Sequence, residues 1–317
     1  MRWNGLLVLA ALCVGAGPAA GMIPGGPAPL SLTRLERITY RAHNGVLRPA
    51  WLLLPDGYRG QRIPLVISVH GRGESARSDA AGWGDLPGEG NFAVICPSGE
   101  GRRLRFYSWG DPAQIADLAR MPVVAAAHGV RVDRRRVYAI GGSMGGQEVL
   151  LLLARHPHLL AGVVAFDPAT SMARRYHDFA HLPGGKVLQR LARTEIGGTP
   201  FSDPAGYASR SPDSFARQIA FSDVAVQLYW SPTDRVIRDQ VDESALLAAR
   251  IFDWNPHAPL LVLRGDWHHS AEMLPFRRLP HALSRFGLLP WRIGFPDWKP
   301  HRTSGRYWQS SHVAQNG

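Results

Sequence analysis

Cysteine is nearly absent from this chain: two residues in 317, Cys13 and Cys96. Cys13 lies in an N-terminal stretch with the marks of a secretory signal. Arg2 supplies a positive start, residues 6–14 (LLVLAALCV) an apolar core, and Gly17-Pro18-Ala19-Ala20 the small residues for cleavage near Ala20. A lipid anchor on Cys13 is disfavoured because Leu12 stands where that processing takes a small residue. A mature chain of about 297 residues then keeps Cys96 alone, which excludes an intramolecular disulfide. Such a protein is held by its core, and Cys96, inside the apolar run 92–97, reads as a packing residue. Long apolar runs are missing too: residues 6–14 are too short to span a bilayer, and nothing later is longer and as apolar. Lysine is scarce. Of 36 basic residues only Lys186 and Lys299 are Lys, and the net charge of +11 is scattered over arginines. The densest group, Arg134-Arg135-Arg136, is expected at a sheet edge just before a strand. No basic arm interleaved with aromatics is present, so nothing points to nucleic acid.

What is there is organised around residues 137–146, VYAIGGSMGG. Residues 137–140 read as a strand and 147–155 (QEVLLLLAR) as an apolar helix. Between them lies Gly-x-Ser-x-Gly, in the strand–turn–helix context that a nucleophile elbow requires. Side chains at Gly141 and Gly145 would collide with the neighbouring strand and helix. The helix start offers unpaired N–H groups to a developing oxyanion.

The remaining chain alternates strand and helix. Strands are expected at 35–42 and 46–54, joined by a His43-Asn44-Gly45 turn, then at 63–70, 92–96, 137–140, 160–166, 225–230 and 259–263. Helices are expected at 109–128, with Asp111-Pro112 as N-cap and N1, and at 147–155, 244–252 and 270–288, the last open to interruption at Pro275 and Pro280. The alternation predicts an α/β fold: a mostly parallel twisted sheet with helices on both faces. Residues 169–221 are too long and irregular for a loop and are read as a cap inserted after the sixth sheet strand. The expected division is a signal at 1–20, one domain over 21–290, and an irregular tail over 291–317.

A serine hydroxyl is a poor nucleophile without a base, and the base needs an acid to fix its tautomer. The elbow fold orders these Ser, Asp or Glu, His along the chain. Asp234, in the turn after strand 225–230, is the expected acid, with Asp167 as alternate. His269 is the expected base, because Ser270 follows and a helix then begins, with His268 as alternate. The oxyanion donors are expected to be the backbone N–H groups of Met144 and of Arg72, in the His70-Gly71-Arg72-Gly73 loop. His70 is expected to brace that loop. His177 and His181 could face one way on a helix, but no Cys or carboxylate pattern supports a metal there. Trp83, Tyr107, Trp109 and Trp267 are candidates for a cleft lining or for packing.

Ser143 in GGSMGG, the HGRG loop, the PTD turn and the late histidine together resemble the α/β-hydrolase superfamily. The stretches VISVHGRGES, FAVICPSGEG, DRRRVYAIGGSMGG and RHPHLLAGVVAFDP are similar to a secreted esterase group that includes feruloyl esterases, polyhydroxybutyrate depolymerase-like enzymes and esterase-D-like proteins. Prolyl-oligopeptidase-type peptidases share the same core. The resemblance runs from about residue 37 to 288 and implies a serine hydrolase that needs no metal or cofactor. Residues 169–221 and the tail match no subfamily pattern. The expected activity is cleavage of a small or polymeric carboxylic ester outside the cytoplasm, in a periplasm or beyond. A peptidase or an acyltransferase would use the same residues. A binding protein on this scaffold would lack one of them.

Overall fold

A computed structural model describes residues 32–290 and the strands His301–Thr303 and Arg306–Ser310. The signal expected at residues 1–20 lies outside the described residues. The strands are β1 (Thr33–Arg41), β2 (Leu47–Pro55), β3 (Ile63–Val69), β4 (Ala93–Pro97), β5 (Val132–Gly142), β6 (Gly162–Phe166), β7 (Ala225–Trp230), β8 (Leu260–Arg264), β9 (His301–Thr303) and β10 (Arg306–Ser310). They form one sheet in the order β1-β2-β4-β3-β5-β6-β7-β8-β10-β9. The hairpin β1–β2 is antiparallel, β2 runs antiparallel to β4, and from β4 to β8 every pairing is parallel. Parallel strands need covered faces, and β3, β4 and β6 are buried along their whole length.

The two-residue period of the strands sorts their side chains between two cores. Leu65, Ile67, Ala139, Val163, Ala165 and Leu228 face one core. Val66, Val94, Tyr138, Ile140, Val164 and Phe166 face the other. The helix Met144–Arg155 is buried through ten successive residues from Met144 to Leu153, so its apolar run has no wet face.

Three expectations change. The single helix over 109–128 is two, Pro112–Ala119 and Met121–Ala127, because Pro122 in the first turn of the second has no N–H to continue the ladder. Asp111 does cap the first, accepting from Ala113 N at 2.9 Å. The Arg134–Arg136 triplet is inside β5, not before it. There β5 advances from Val132 to Val137 while β3 advances only from Ile63 to Leu65, and the surplus residues bulge outward into water. The segment 270–288 is interrupted around Pro275, as its prolines suggest, into a 3-10 turn, Ala271–Met273, and a helix, Leu279–Arg285, whose first turn accommodates Pro280. The tail expected to be irregular contains β9 and β10, with β10 parallel to β8.

The segment after β6 is helical: Met172–Phe179, Gly185–Ile196, Pro204–Ser209 and Ala216–Ala220, with a 3-10 turn at Pro212–Phe215. Met172, Tyr176, Phe179, Ala192, Ile196 and Tyr207 form a third core with Trp109 and Met144. Ala216, Ile219 and Ala220 instead join the main core, so the cap-like part ends before residue 216.

Candidate active site

Ser143 sits at φ 56°, ψ −120°, between β5 and its helix. A non-glycine residue held there is strained, and only surrounding structure can keep it so. Its N–H donates to Phe166 O at 2.8 Å. The turn closes tightly because two glycines have no side chain. A Cβ on Gly145 would lie 1.9 Å from Val69 O, and one on Gly141 would lie 2.5 Å from the carbonyl carbon of Gly145. The same contact brings the end of β3, and hence the His70–Gly73 loop, against the helix start.

In that loop His70 Nδ1 lies 2.9 Å from Gly71 O, and Gly99 N–H donates to Nε2 at 3.0 Å. Both ring nitrogens are thereby occupied in bracing the backbone. Glu74 accepts from Gly71 N–H at 2.9 Å, and Gly73 N–H donates to Phe106 O. The Arg72 and Met144 N–H groups have no hydrogen-bond partner among the described residues.

Beyond β7, Asp234 is 3% exposed. Its Oδ1 accepts from Val236 N at 2.7 Å and Ile237 N at 3.0 Å. Its Oδ2 lies 2.6 Å from His269 Nδ1 and 3.3 Å from Gln240 Nε2. Burial alone would raise the carboxyl pKa. The His269 bond and charge and the two backbone donors outweigh it and hold Asp234 below the usual carboxylate value. His268, by contrast, is exposed.

Asp167 does not pair with the histidine. Fully buried, it accepts from Ser231 N at 2.9 Å through Oδ1, and from Trp267 Nε1 at 2.8 Å and Ser270 N at 2.7 Å through Oδ2. It therefore ties the loop carrying Asp234 to the loop carrying His269. Burial pushes its pKa up to about 7; the His269 charge opposes the rise and Asp234 adds to it. Ser270, at φ 52°, follows the base and brings its loop onto the elbow. Its Oγ donates to Phe166 O at 3.5 Å, the carbonyl that also accepts from Ser143. A Cβ on Gly142 would lie 2.9 Å from that Oγ.

Asp167, Asp234 and His269 offer metal-type donor atoms within 4.8 Å of one another. The Asp167 oxygens and Asp234 Oδ1 are committed to N–H donors, and Asp234 Oδ2 to the imidazole, so this cluster is built to hold an imidazole. His177 and His181 are both exposed. The aromatic candidates mostly pack: Trp83 donates to Ser68 Oγ at 2.9 Å, Trp267 serves Asp167, and Trp109 is buried against Phe179.

Several supporting residues carry no local sequence signal. Gln240 reaches Asp234 from six residues on, and its own Oε1 accepts from Ser244 Oγ at 2.6 Å. Glu195, in the cap-like segment, accepts from the N–H groups of Arg102, Arg103 and Leu104 at 2.6–2.8 Å. Glu148, buried on the elbow helix, accepts from Ser108 Oγ and from Gly110 N–H at 3.1 Å. Only the fold brings these together.

A mostly parallel sheet, a strained serine between β5 and its helix, and an Asp–His pair on the loops after β7 and β8 define an α/β-hydrolase. The prolyl oligopeptidase family matches residues 105–271, more than half of the chain, and the chain belongs to that family. The chain is 33% identical over 198 residues to NocK of Nocardia uniformis subsp. tsuyamanensis, described as a candidate esterase. That match takes in 50% of this chain and about half, 54%, of the relative. The fold is shared with an acylaminoacyl peptidase from Pyrococcus horikoshii, at a TM-score of 0.62 and 15% identity over 84% of this chain and 43% of that one. It is shared also with an S-formylglutathione hydrolase from Agrobacterium tumefaciens, at a TM-score of 0.60 and 11% identity over 82% of this chain and 96% of the other.

Proposed function

We propose that this protein is an exported serine hydrolase that cleaves carboxylic esters through an acyl-enzyme on Ser143. Ser143 Oγ attacks the ester carbonyl as His269 Nε2 takes its proton. The Met144 and Arg72 N–H groups receive the oxyanion. His269 returns the proton to the leaving alcohol, and a water activated by the same imidazole releases the acid. Asp234 keeps the Nδ1 proton in place and stabilises the imidazolium. The observation that carries this reading is the 2.6 Å Asp234–His269 bond on a loop pinned to the strained serine. The likeness to NocK favours an ester; the family's peptidases favour an amide as the second reading. Export rests on the composition of residues 1–20, and no described helix is long and apolar enough to cross a membrane.

The test is fluorophosphonate labelling of the purified protein with peptide mapping, beside turnover of 4-nitrophenyl butyrate and its anilide. We expect one adduct, on Ser143, lost in His269→Ala and kept in His268→Ala, and an ester rate well above the anilide rate. No adduct, or an adduct elsewhere, would overturn the reading; a faster anilide would select the peptidase.

A further inference from the structure

Two arginines beside the elbow make no hydrogen bond to an anion among the described residues. Arg175, on the helix Met172–Phe179, is 3% exposed, and its guanidinium makes no hydrogen bond to any described residue. A guanidinium presents five donors, and burying them unmet is costly. The nearest carboxylate oxygen, Asp178 Oδ2, is 4.0 Å from Nη1, an ion-pair contact too long for a hydrogen bond. The Arg175 guanidinium lies 4.7 Å from the centre of the Phe179 ring, and that of Arg72, in the oxyanion loop, lies 5.9 Å from the same centre. The Arg72 side chain likewise has no hydrogen-bond or carboxylate partner among the described residues, and it is partly exposed. Phe179 packs on Trp109, and Trp109 N–H points at Met144 Sδ at 3.4 Å, so this ring stands one side chain from the residue after the nucleophile. Burial lowers the pKa of Arg72, and burial together with the Arg72 charge lowers that of Arg175 to about 10 against the opposing pull of Asp178, Glu243 and Asp234. Asp178 offsets one of the two charges.

We propose that Arg72 and Arg175 form a carboxylate-binding subsite beside Ser143, so that the preferred substrates are esters bearing an anionic carboxylate. Guanidinium forks bind carboxylates in a plane with paired bonds, which a neutral acyl chain cannot reproduce. Both guanidiniums lie within cation–π range of the one Phe179 ring, and neither has its hydrogen-bond donors met by a described residue. This inference rests on the ester-hydrolase reading and deepens it.

The experiment compares matched esters. For an acyl-side carboxylate the pair is mono-4-nitrophenyl glutarate against 4-nitrophenyl butyrate. For an alcohol-side carboxylate it is 4-acetoxybenzoate against its methyl ester. We expect kcat/KM to favour the charged member of one pair by about tenfold or more, and the winning pair identifies the side. In Arg175→Gln that ratio should fall about tenfold, mostly through KM, with Arg175→Lys intermediate because it keeps the charge but not the fork. Free glutarate should inhibit the wild type competitively and Arg175→Gln far less. Hydrolysis of all four esters with no charge preference and no glutarate inhibition would overturn the subsite and leave the ester-hydrolase reading standing. No hydrolysis of any ester would overturn that reading itself. Should Arg175→Gln fail to fold, the wild-type ratios and the glutarate inhibition still decide.

Discussion

Asp234→Asn should convert a working base into a misdirected one without unfolding the protein. Oδ1 of Asp234 receives two backbone N–H groups, from Val236 and Ile237. An asparagine must put its amide oxygen there, because an NH2 would face two donors. Its NH2 is then forced toward His269, where it donates to Nδ1. The imidazole proton moves to Nε2, so the nitrogen facing Ser143 carries a proton when it should accept one. The same exchange in a serine protease triad costs about 10⁴ in kcat, and about 10³ to 10⁴ is expected here, or roughly 4–5 kcal/mol in the barrier. The stability effect is smaller and depends on pH. A carboxyl held below its unfolded value stabilises the fold above that value, and the contribution is lost as pH falls through the folded pKa. The gap between wild type and variant should therefore be widest above the ordinary carboxylate range and close on acidification. Steady-state hydrolysis of a 4-nitrophenyl ester, with urea midpoints at several pH values, reads both. A loss in kcat below about tenfold would refute the tautomer argument.

Other perturbations test the scaffold. Gly145→Ala places a Cβ 1.9 Å from a strand carbonyl, Val69 O, which cannot swing away, and should cost about 3 kcal/mol by urea denaturation. Burial raises to about 7 both Asp167 and Glu243, a buried carboxyl that accepts from the N–H groups of Thr170 and Ser171, so the stability they lend is full below about pH 4 and is lost as pH rises through 7. Asp167→Asn should flatten that decline while lowering kcat, read from urea midpoints at acid and neutral pH beside ester turnover. Glu195→Ala orphans three N–H groups of residues 102–104 and should cost about 2–4 kcal/mol, seen as a lower thermal midpoint.

Most of the sheet was legible because a covered parallel strand writes itself as an unbroken apolar run, as in residues 63–69 and 162–166. The start of β5 was not, since its Asp133-Arg134-Arg135-Arg136 segment bulges into water and carries no apolar period. The elbow was legible for a different reason: its glycines are demanded by contacts only a few residues or one strand away. Asp234 and His269 followed from chain order and the loops they occupy. The part of Asp167 was only half visible. Its place after β6 marks it as a site residue, but nothing local says that its oxygens go to Ser231, Trp267 and Ser270, up to 103 positions on, in place of the imidazole. Arg175 and Glu195 were invisible because the turns that fold residues 169–215 back over the elbow leave no periodic trace.

The third core bears on how this molecule could be re-engineered. Met144 and Trp109 belong to the same packed cluster as Phe179, Ile196 and Tyr207, and Glu195 is stapled to the backbone of residues 102–104. The helices over the elbow are thus not an accessory that can be traded for another family member's. Transplanting them would strip the serine's own neighbour of its packing and cut loose a loop nearly a hundred residues upstream. A chimera here has to carry three separated stretches of chain as one graft.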